Sequence, residues 1–402
     1  MDFFKSPRPA ASEGLETQPC MCEVANPTRR FTIGLPSCAS LSDRRFPLTP
    51  EGVQILVDSG FAVRMERGAA QRISYTDEAY TRCGAEIVNR ADALGCDIVI
   101  HLRPLSTADI SHIRRGAMLI TMLSLHHQQP AAIRALLSRN IIAIAIDLIE
   151  DSAGNTPFAD IISEINGRAA IAKSAGLLSD SSGKGILLGG VAGIVPCEVT
   201  VFGSGIAACA AARAAAGAGA TVRLFDNDVY ALRRALRELG PWAIGSALHP
   251  RVVTNALRSA DVVINTLSDS RFVIGSDTIP LMKKGVAIFD ISPRPGLMFP
   301  SITHIDLAAP PVPLPARVPS NLAYMTNADA TVPRTVAMAL TNAFVTMLTG
   351  LVSCEGGVDN ALKLLPGLQK AAYTFLGRPV NPAIARIAGV RAIDINIFLN
   401  LS

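Results

Sequence analysis

The sequence predicts an α/β protein built from two doubly wound parallel-sheet domains with a cleft between them. Three observations predict it. Short β-branched runs alternate with helix-length segments in two successive series. A glycine-rich turn, set between a strand and an alanine-rich helix, stands at the head of the second series. The length, 402 residues, suits two domains or three.

Residues 1–29 are rich in Pro, Ser and Glu and read as a loose extension. Order begins with a strand at 31–34. Residues 52–58 form a helical pattern closed by Gly60. Residues 61–65, 97–100, 118–122 and 141–146 read as strands, with helix-length segments such as 130–137 between them. Their apolar runs are continuous rather than alternating, as in strands covered on both faces. The second series has strands at 198–202, 222–225, 262–265 and 286–290. The proline-rich segment 310–319 reads as an extended loop. Residues 335–354 read as a long helix, followed by a mainly helical tail. That helix carries no charge, but its Thr, Asn, Gly and Ser residues mark it as buried between protein surfaces rather than in a bilayer.

Composition narrows the function. Hydrophobic residues are 49% and charged residues 17%, which gives large cores and excludes a disordered chain. The net charge of +4 and the aromatic content of 5% argue against nucleic-acid and membrane-surface partners. Residues 1–20 carry Asp2, Lys5, Arg8, Glu13 and Glu16 and no apolar stretch typical of an export signal, so a cytoplasmic setting is expected. The eight cysteines form no CxxC pair, which suits reduced thiols. The Cys20-Met21-Cys22 pair has no histidine near it in sequence, and no metal site is expected.

The clearest motif is Gly203-Ser204-Gly205-Ile206-Ala207-Ala208, a Gly-x-Gly-x-x-Ala turn. The first glycine permits the tight turn. The second lets the backbone approach a pyrophosphate. The small third residue lets helix and strand pack closely. Phosphates then meet the free N–H groups and positive dipole end of the helix. Asp226 ends the next strand, 21 residues beyond Gly205. An acid there accepts hydrogen bonds from ribose hydroxyls and repels a 2′-phosphate, so the expected cofactor is NAD rather than NADP. Both domains are therefore expected to be Rossmann-like.

With these residues in view, the chain resembles the alanine dehydrogenase and proton-translocating transhydrogenase alpha-subunit family, and its alanine dehydrogenase branch more closely. The resemblance runs from about Phe31 to the C-terminus. It rests on Arg45-Phe46-Pro47-Leu48-Thr49-Pro50, on Ser163-Glu164-Ile165-Asn166-Gly167-Arg168, on the stretch from Gly183 to Gly193, and on Val332-Pro333-Arg334-Thr335 with Ala339-Leu340-Thr341-Asn342-Ala343. It implies a substrate domain from 30–162 plus 336–402, with a dinucleotide-binding domain at 163–335 inserted in it. It implies a homo-oligomer, dimeric or hexameric, acting on an amino acid or 2-oxo acid. It also places Ser163, Leu267 and Asn327 beside the cofactor.

The family chemistry needs a cation for the substrate carboxylate, a second cation for the carbonyl or imine, an acid/base, and a carboxylate near the nicotinamide. Arg45 falls on the carboxylate-binding arginine. Arg103 falls nearest the second cation, where the family has lysine. Ser124 stands where the family has its catalytic histidine, and a shift of register would bring His126 there; His101 is a weaker candidate. Arg294 stands where the family has an aspartate. Asp329 is new and is the candidate to supply that carboxylate from another direction, or else it caps the following helix.

The first reading is thus an NAD-dependent oxidoreductase interconverting an L-amino acid with a 2-oxo acid and ammonium. The alternative is an NAD(H)-binding sensor, or a transhydrogenase-alpha-like subunit with a membrane partner. A third reading condenses an amine with a 2-oxo acid and needs two carboxylates held, with Arg45, Arg103 and Arg294 as candidates.

Overall fold

Two parallel sheets carry the fold. The computed structural model describes residues 31–38, 43–180, 183–268, 272–309, 322–352, 362 and 366–399. The expected extension at 1–29, the loop at 310–319 and Cys20, Cys22 and Cys354 lie outside the described residues.

The first sheet contains β1 (Thr32–Leu35), β2 (Ala62–Glu66), β3 (Glu86–Val88), β4 (Ile98–Ile100), β5 (Met118–Thr121) and β6 (Ile142–Ala145). They lie in the order β3-β2-β1-β4-β5-β6, all parallel. The connections hold α1 (Pro50–Asp58), α2 (Asp77–Arg82), α3 (Arg90–Leu94), α4 (Thr107–His112) and α5 (Pro130–Ser138). Side-chain caps start several of them: the Thr49, Thr76, Asn89 and Ser106 oxygens accept from the first-turn N–H groups.

From α6 (Pro157–Ser179) the chain enters the second sheet. This sheet holds β7 (Glu198–Phe202), β8 (Thr221–Phe225), β9 (Ala243–Ser246), β10 (Val262–Asn265), β11 (Val286–Asp290), β12 (Ile305–Asp306) and β13 (Leu322–Thr326), all parallel. Helices α7 (Ile206–Gly217), α8 (Val229–Leu239) and α9 (Pro250–Ser259) join its first strands. Apart from the two-residue β12 at one edge, the order is β9-β8-β7-β10-β11-β13. Both sheets therefore follow the strand order of dinucleotide-binding domains, which reverses between β1 and β4 and again between β7 and β10.

Alternation along each strand divides the cores. Ile98 and Ile100 face one apolar layer of the first sheet while Val99 faces the other. Val201 and Phe202 divide in the same way on the second. Each such buried side chain stabilises the fold by roughly 1.5–3 kcal/mol relative to exposure.

Helix α10 (Pro333–Val352) returns to the first sheet and packs Val336, Leu340, Phe344, Leu348 and Leu351 into its core. The tail after it differs from the helical expectation. Besides α11 (Pro366–Ala371) and α12 (Pro382–Ala388), it contains β14 (Ala372–Phe375) and β15 (Arg378–Pro379). Strand β14 adds antiparallel to β6 through a register irregularity, where the Thr374 hydroxyl donates to the Ile141 carbonyl at 2.8 Å. Its Ala-Tyr-Thr-Phe sequence lacks the unbroken aliphatic run that marks β4 and β6, which is why pattern alone misses it.

Helix α6 ties the two sheets together. Phe158, Ile162 and Ile165 sit in the first core; Ala169, Ala170, Ile171 and Leu178 sit in the second. Midway, Gly167 crosses α7 so closely that a Cβ there would lie 2.3 Å from the Ala207 carbonyl oxygen. Gly167→Ala is expected to destabilise by about 1–3 kcal/mol through overpacking. In the same helix, exposed Gly176 has no heavy atom within 4 Å of its added Cβ, and Gly176→Ala is expected to stabilise by roughly 0.5–1 kcal/mol. Urea unfolding midpoints of the two variants, moving in opposite directions, check this pair.

Candidate active site

The carboxyl ends of parallel strands share one edge of their sheet, so loops far apart in sequence meet there. On the second sheet this edge gathers the residues expected at the cofactor. Gly203 follows β7 with φ +107°, and a Cβ on it would lie 2.0 Å from the Thr266 hydroxyl oxygen. Only glycine fits that turn. A Cβ on Gly205 would meet nothing within 4 Å, which leaves open space beside the N-terminus of α7. Close turn, open approach and unpaired helix N–H groups fit a pyrophosphate. The Ser204 hydroxyl donates to Asp226 Oδ2 at 2.6 Å, and the Asp228 amide donates to Oδ1 at 2.9 Å. These bonds fix the Asp226 carboxylate at the end of β8, where ribose hydroxyls would reach it.

Leu267 follows β10 and is held by Asn265, which accepts from its amide at 3.0 Å. Asn327 follows β13 with φ +54°, and its Nδ2 donates to Asp306 at 2.7 Å. Ser163 lies in α6, next to Glu164, which borders a groove with Ser204, Gly205 and Ile206. One more residue anchors this edge. The buried Asp290 carboxylate accepts from Asn265 Nδ2, the Ser292 hydroxyl, the Gly296 amide and the Tyr324 hydroxyl, and so ties together the ends of β10, β11 and β13. Arg294 lies exposed and donates to the Ser268 carbonyl at 2.7 Å.

The first sheet makes a second crevice where β1 and β4 part. Arg45, from the loop after β1, is enclosed by two carboxylates. Its Nε and Nη2 grip Asp43 at 2.9 and 2.7 Å, and its Nη1 donates to Asp329 Oδ2 at 2.7 Å. The side chains of Asp43 and Asp329 are 1% and 0% exposed. Burial alone would lower the Arg45 pKa, but Asp329 and Asp43 raise it above the ordinary arginine value. Burial alone would raise the Asp43 carboxyl, yet Arg45, with Arg103 beyond it, holds it below its ordinary value. Arg103, after β4, lies 3.5 Å from Asp43 and reaches the Ala308 carbonyl at 3.4 Å. Arg45, Arg103 and Asp329 therefore converge.

Asp329 does not cap a helix through its side chain. Its amide is held by Asn166 Oδ1 of α6 at 2.9 Å, and its buried Oδ1 has no hydrogen-bond partner among the described residues. His126 sits in a short 3₁₀ turn at Leu125–His127. Its side chain is outside the described residues. Ser124, at the head of that turn, has φ +38°.

The structure draws attention instead to His101. It is 6% exposed, and with Asp43, Arg45 and Arg103 it lines a cavity of about 10 Å³, the size of one water site. His101 Nδ1 lies 2.6 Å from the Arg103 carbonyl oxygen, which requires the proton on Nδ1. The Arg103 amide, 3.3 Å from the same nitrogen, is then only a weak neighbour. Nε2 is left as a bare acceptor without a partner among the described residues. Burial lowers the His101 pKa, with Arg90 lowering it further, against the raising effects of the hydrogen bond to the Arg103 carbonyl and of Asp109 and Asp43.

Residues 34–165 match the family model "Alanine dehydrogenase/PNT, N-terminal domain", and residues 169–382 match its C-terminal counterpart. The chain belongs to the alanine dehydrogenase/PNT family. It is 30% identical over 375 residues to an alanine dehydrogenase of Mycolicibacterium smegmatis, covering 91% of this chain and 99% of that one. It is 29% identical to an alanine dehydrogenase of Mycobacterium tuberculosis, covering 89% and 97%. Among solved structures, an L-alanine dehydrogenase superposes with a TM-score of 0.77 at 24% identity, over 89% of this chain and 98% of that one. A transhydrogenase from Sinorhizobium meliloti superposes at 0.68 and 20% identity, over 88% and 99%. Those two likenesses concern the fold. Among the described residues of this alanine dehydrogenase/PNT chain, no helix is long and apolar enough to cross a membrane.

Arg45→Ala would leave Asp43 and Asp329 buried without their cation. The expected loss is about 3–5 kcal/mol of folding stability. The Asp43 share of that stability is complete above its ordinary value of 3.8 and is lost as pH falls through its lower native value. Thermal melts of the wild type and the variant, at pH 7 and down an acid series, test both statements.

Proposed function

We propose that this chain is an NAD-dependent oxidoreductase of the alanine dehydrogenase type, interconverting an L-amino acid with a 2-oxo acid and ammonium. The observation that carries the reading is the meeting of Arg45, Arg103 and Asp329 beside His101 in the crevice between β1 and β4. Family membership supports it. Gly203, Ser204, Gly205 and Ile206 would hold the pyrophosphate of NAD, and Asp226 the ribose. Ser163, Leu267 and Asn327 would border the rest. The bound cofactor would supply the hydride acceptor or donor.

The chain's own residues do the remainder. Arg103, with Arg45 once Asp43 swings away, holds the substrate carboxylate through paired N–H donors. Asp329 Oδ1 accepts from the substrate nitrogen. His101 Nε2 takes and returns the proton, in place of the histidine that the family has where Ser124 stands. This reading goes with a cytoplasmic homo-oligomer.

One observation favours a second reading. The fork of Arg45 already grips Asp43, as it would grip a substrate carboxylate. A chain that keeps this pair closed binds NAD(H) without turnover, as a sensor or as a subunit with a transhydrogenase-type membrane partner.

The test is NADH oxidation by purified protein given ammonium with pyruvate and then with other 2-oxo acids. Turnover is expected, together with NADH affinity at least about tenfold weaker in Asp226→Ala. Folded protein that binds NADH and turns over none of them sinks the dehydrogenase reading in favour of the second.

His101→Asn keeps a donor for the Arg103 carbonyl and removes Nε2. Its kcat is expected to fall roughly 100-fold. Because the His101 pKa is lowered, wild-type activity in the amino-acid-oxidising direction falls only as pH drops below the ordinary value of 6.5. The variant is expected to lose that acid limb, and a pH–rate profile that keeps it removes His101 from the mechanism.

A further inference from the structure

Three polar residues follow β8, and each side chain is committed differently. Asn227 Oδ1 accepts from the Leu248 amide at 3.2 Å. Asp228 Oδ1 caps α8, accepting from the Tyr230 and Ala231 amides at 3.0 and 2.9 Å. Asp226 is pinned at both oxygens: Oδ2 by the Ser204 hydroxyl at 2.6 Å, Oδ1 by the Asp228 amide at 2.9 Å. Ser204 is buried between the two glycines of the cofactor turn, so its bond joins the turn after β7 to the acid after β8. A carboxylate offers about four lone-pair sites, two on each oxygen. With one taken on each, Asp226 keeps about one open site per oxygen for a ligand.

We propose that Ser204 is a positioning residue that sets cofactor discrimination. It holds the Asp226 carboxylate in the orientation that accepts a ribose diol and rejects a 2′-phosphate. The inference rests on the NAD reading and adds a role for a side chain whose place in the turn calls only for backbone. A vicinal diol brings two O–H donors side by side, which matches one open site on each carboxylate oxygen. A 2′-phosphate replaces one of those donors with negative charge. A loose carboxylate turns away from that charge and tolerates it, whereas one pinned at both oxygens cannot retreat. Serine suits the task because its single proton is given to Asp226 while its lone pairs stay free to accept from the ribose. The approach is open, since a Cβ on the neighbouring Gly205 would meet nothing within 4 Å. Alanine at 204 keeps the turn and releases Oδ2.

Binding is measured without turnover, by fluorescence titration of NADH and NADPH. The proteins are wild type, Ser204→Ala, Ser204→Gly, Ser204→Thr, Asp226→Ala and the Ser204→Ala/Asp226→Ala double variant, each first checked for native melting. Wild type is expected to prefer NADH by at least about 100-fold. Losing one hydrogen bond to a charged group lowers that preference about tenfold in Ser204→Ala and Ser204→Gly, and Ser204→Thr restores it. In the Asp226→Ala background the Ser204 change moves the preference less than about twofold, because the group it acts through is gone. A preference left unchanged in both Ser204→Ala and Ser204→Gly overturns the inference. So does an equal fall in the Asp226→Ala background, which assigns the hydroxyl to the phosphate turn itself. Wild type that binds neither cofactor overturns the NAD reading and this inference with it. Protein that binds NADH but fails the preceding turnover assay overturns the dehydrogenase reading alone.

Discussion

The ion triad of Asp43, Arg45 and Asp329 is the constraint on which the candidate site depends. Moving three charges out of water costs several kcal/mol each, and only close pairing offsets that cost. Arg45 supplies both pairings at once, so none of the three can move alone without leaving a charge stranded. Asp43 and Arg45 belong to a connection of the first sheet, whereas Asp329 follows the last strand of the second. The triad therefore pins one sheet's loop edge to the other's. Asn166 of the shared helix α6 holds the Asp329 amide and so joins the pin to the helix that enters both cores.

The strand order explains why chemistry gathers at that place. Where the order reverses, between β1 and β4 and between β7 and β10, neighbouring connections leave in opposite directions and open a crevice. One crevice receives the glycine turn and, from the next strand, Asp226. The other receives the Asp43–Arg45 loop and the His101–Arg103 loop. The two sheets are alike in order and differ in what their loops carry: backbone N–H groups and one acid in the second, arginines, aspartates and a histidine in the first.

Much of this was legible in the sequence, for definite reasons. Parallel strands buried on both faces leave continuous apolar runs, so β4, β5, β6, β10 and β11 stand out. Residues branched at Cβ mark β1, β2, β7 and β8, whereas β13, Leu-Ala-Tyr-Met-Thr, carries no such run. The glycine turn stands out because only glycine satisfies Gly203. Short strands such as β3, β9 and β14 leave no periodic trace, and β14 is placed by pairing with β6 rather than by its own pattern. In the site, the sequence points to Arg45, Arg103 and Asp329 one by one but not to their convergence. It does not point to Asp43, because nothing in a sequence says that a carboxylate two residues before an arginine turns back to grip it. The weight given to His101 depends on an unpaired Nε2, a property of tertiary packing alone.

The replacements at Ser124 and Arg294 follow from the same geometry. The carboxyl edge of a parallel sheet offers several loops within reach of one crevice, so a proton carrier or a carboxylate can come from any of them. In this chain His101 follows β4 and Asp329 follows β13, and both lie beside Arg45. Arg294 lies exposed and turns outward to the Ser268 carbonyl. The chain keeps the family's two domains, and the charges of its first crevice come together from the loops after β1, β4 and β13.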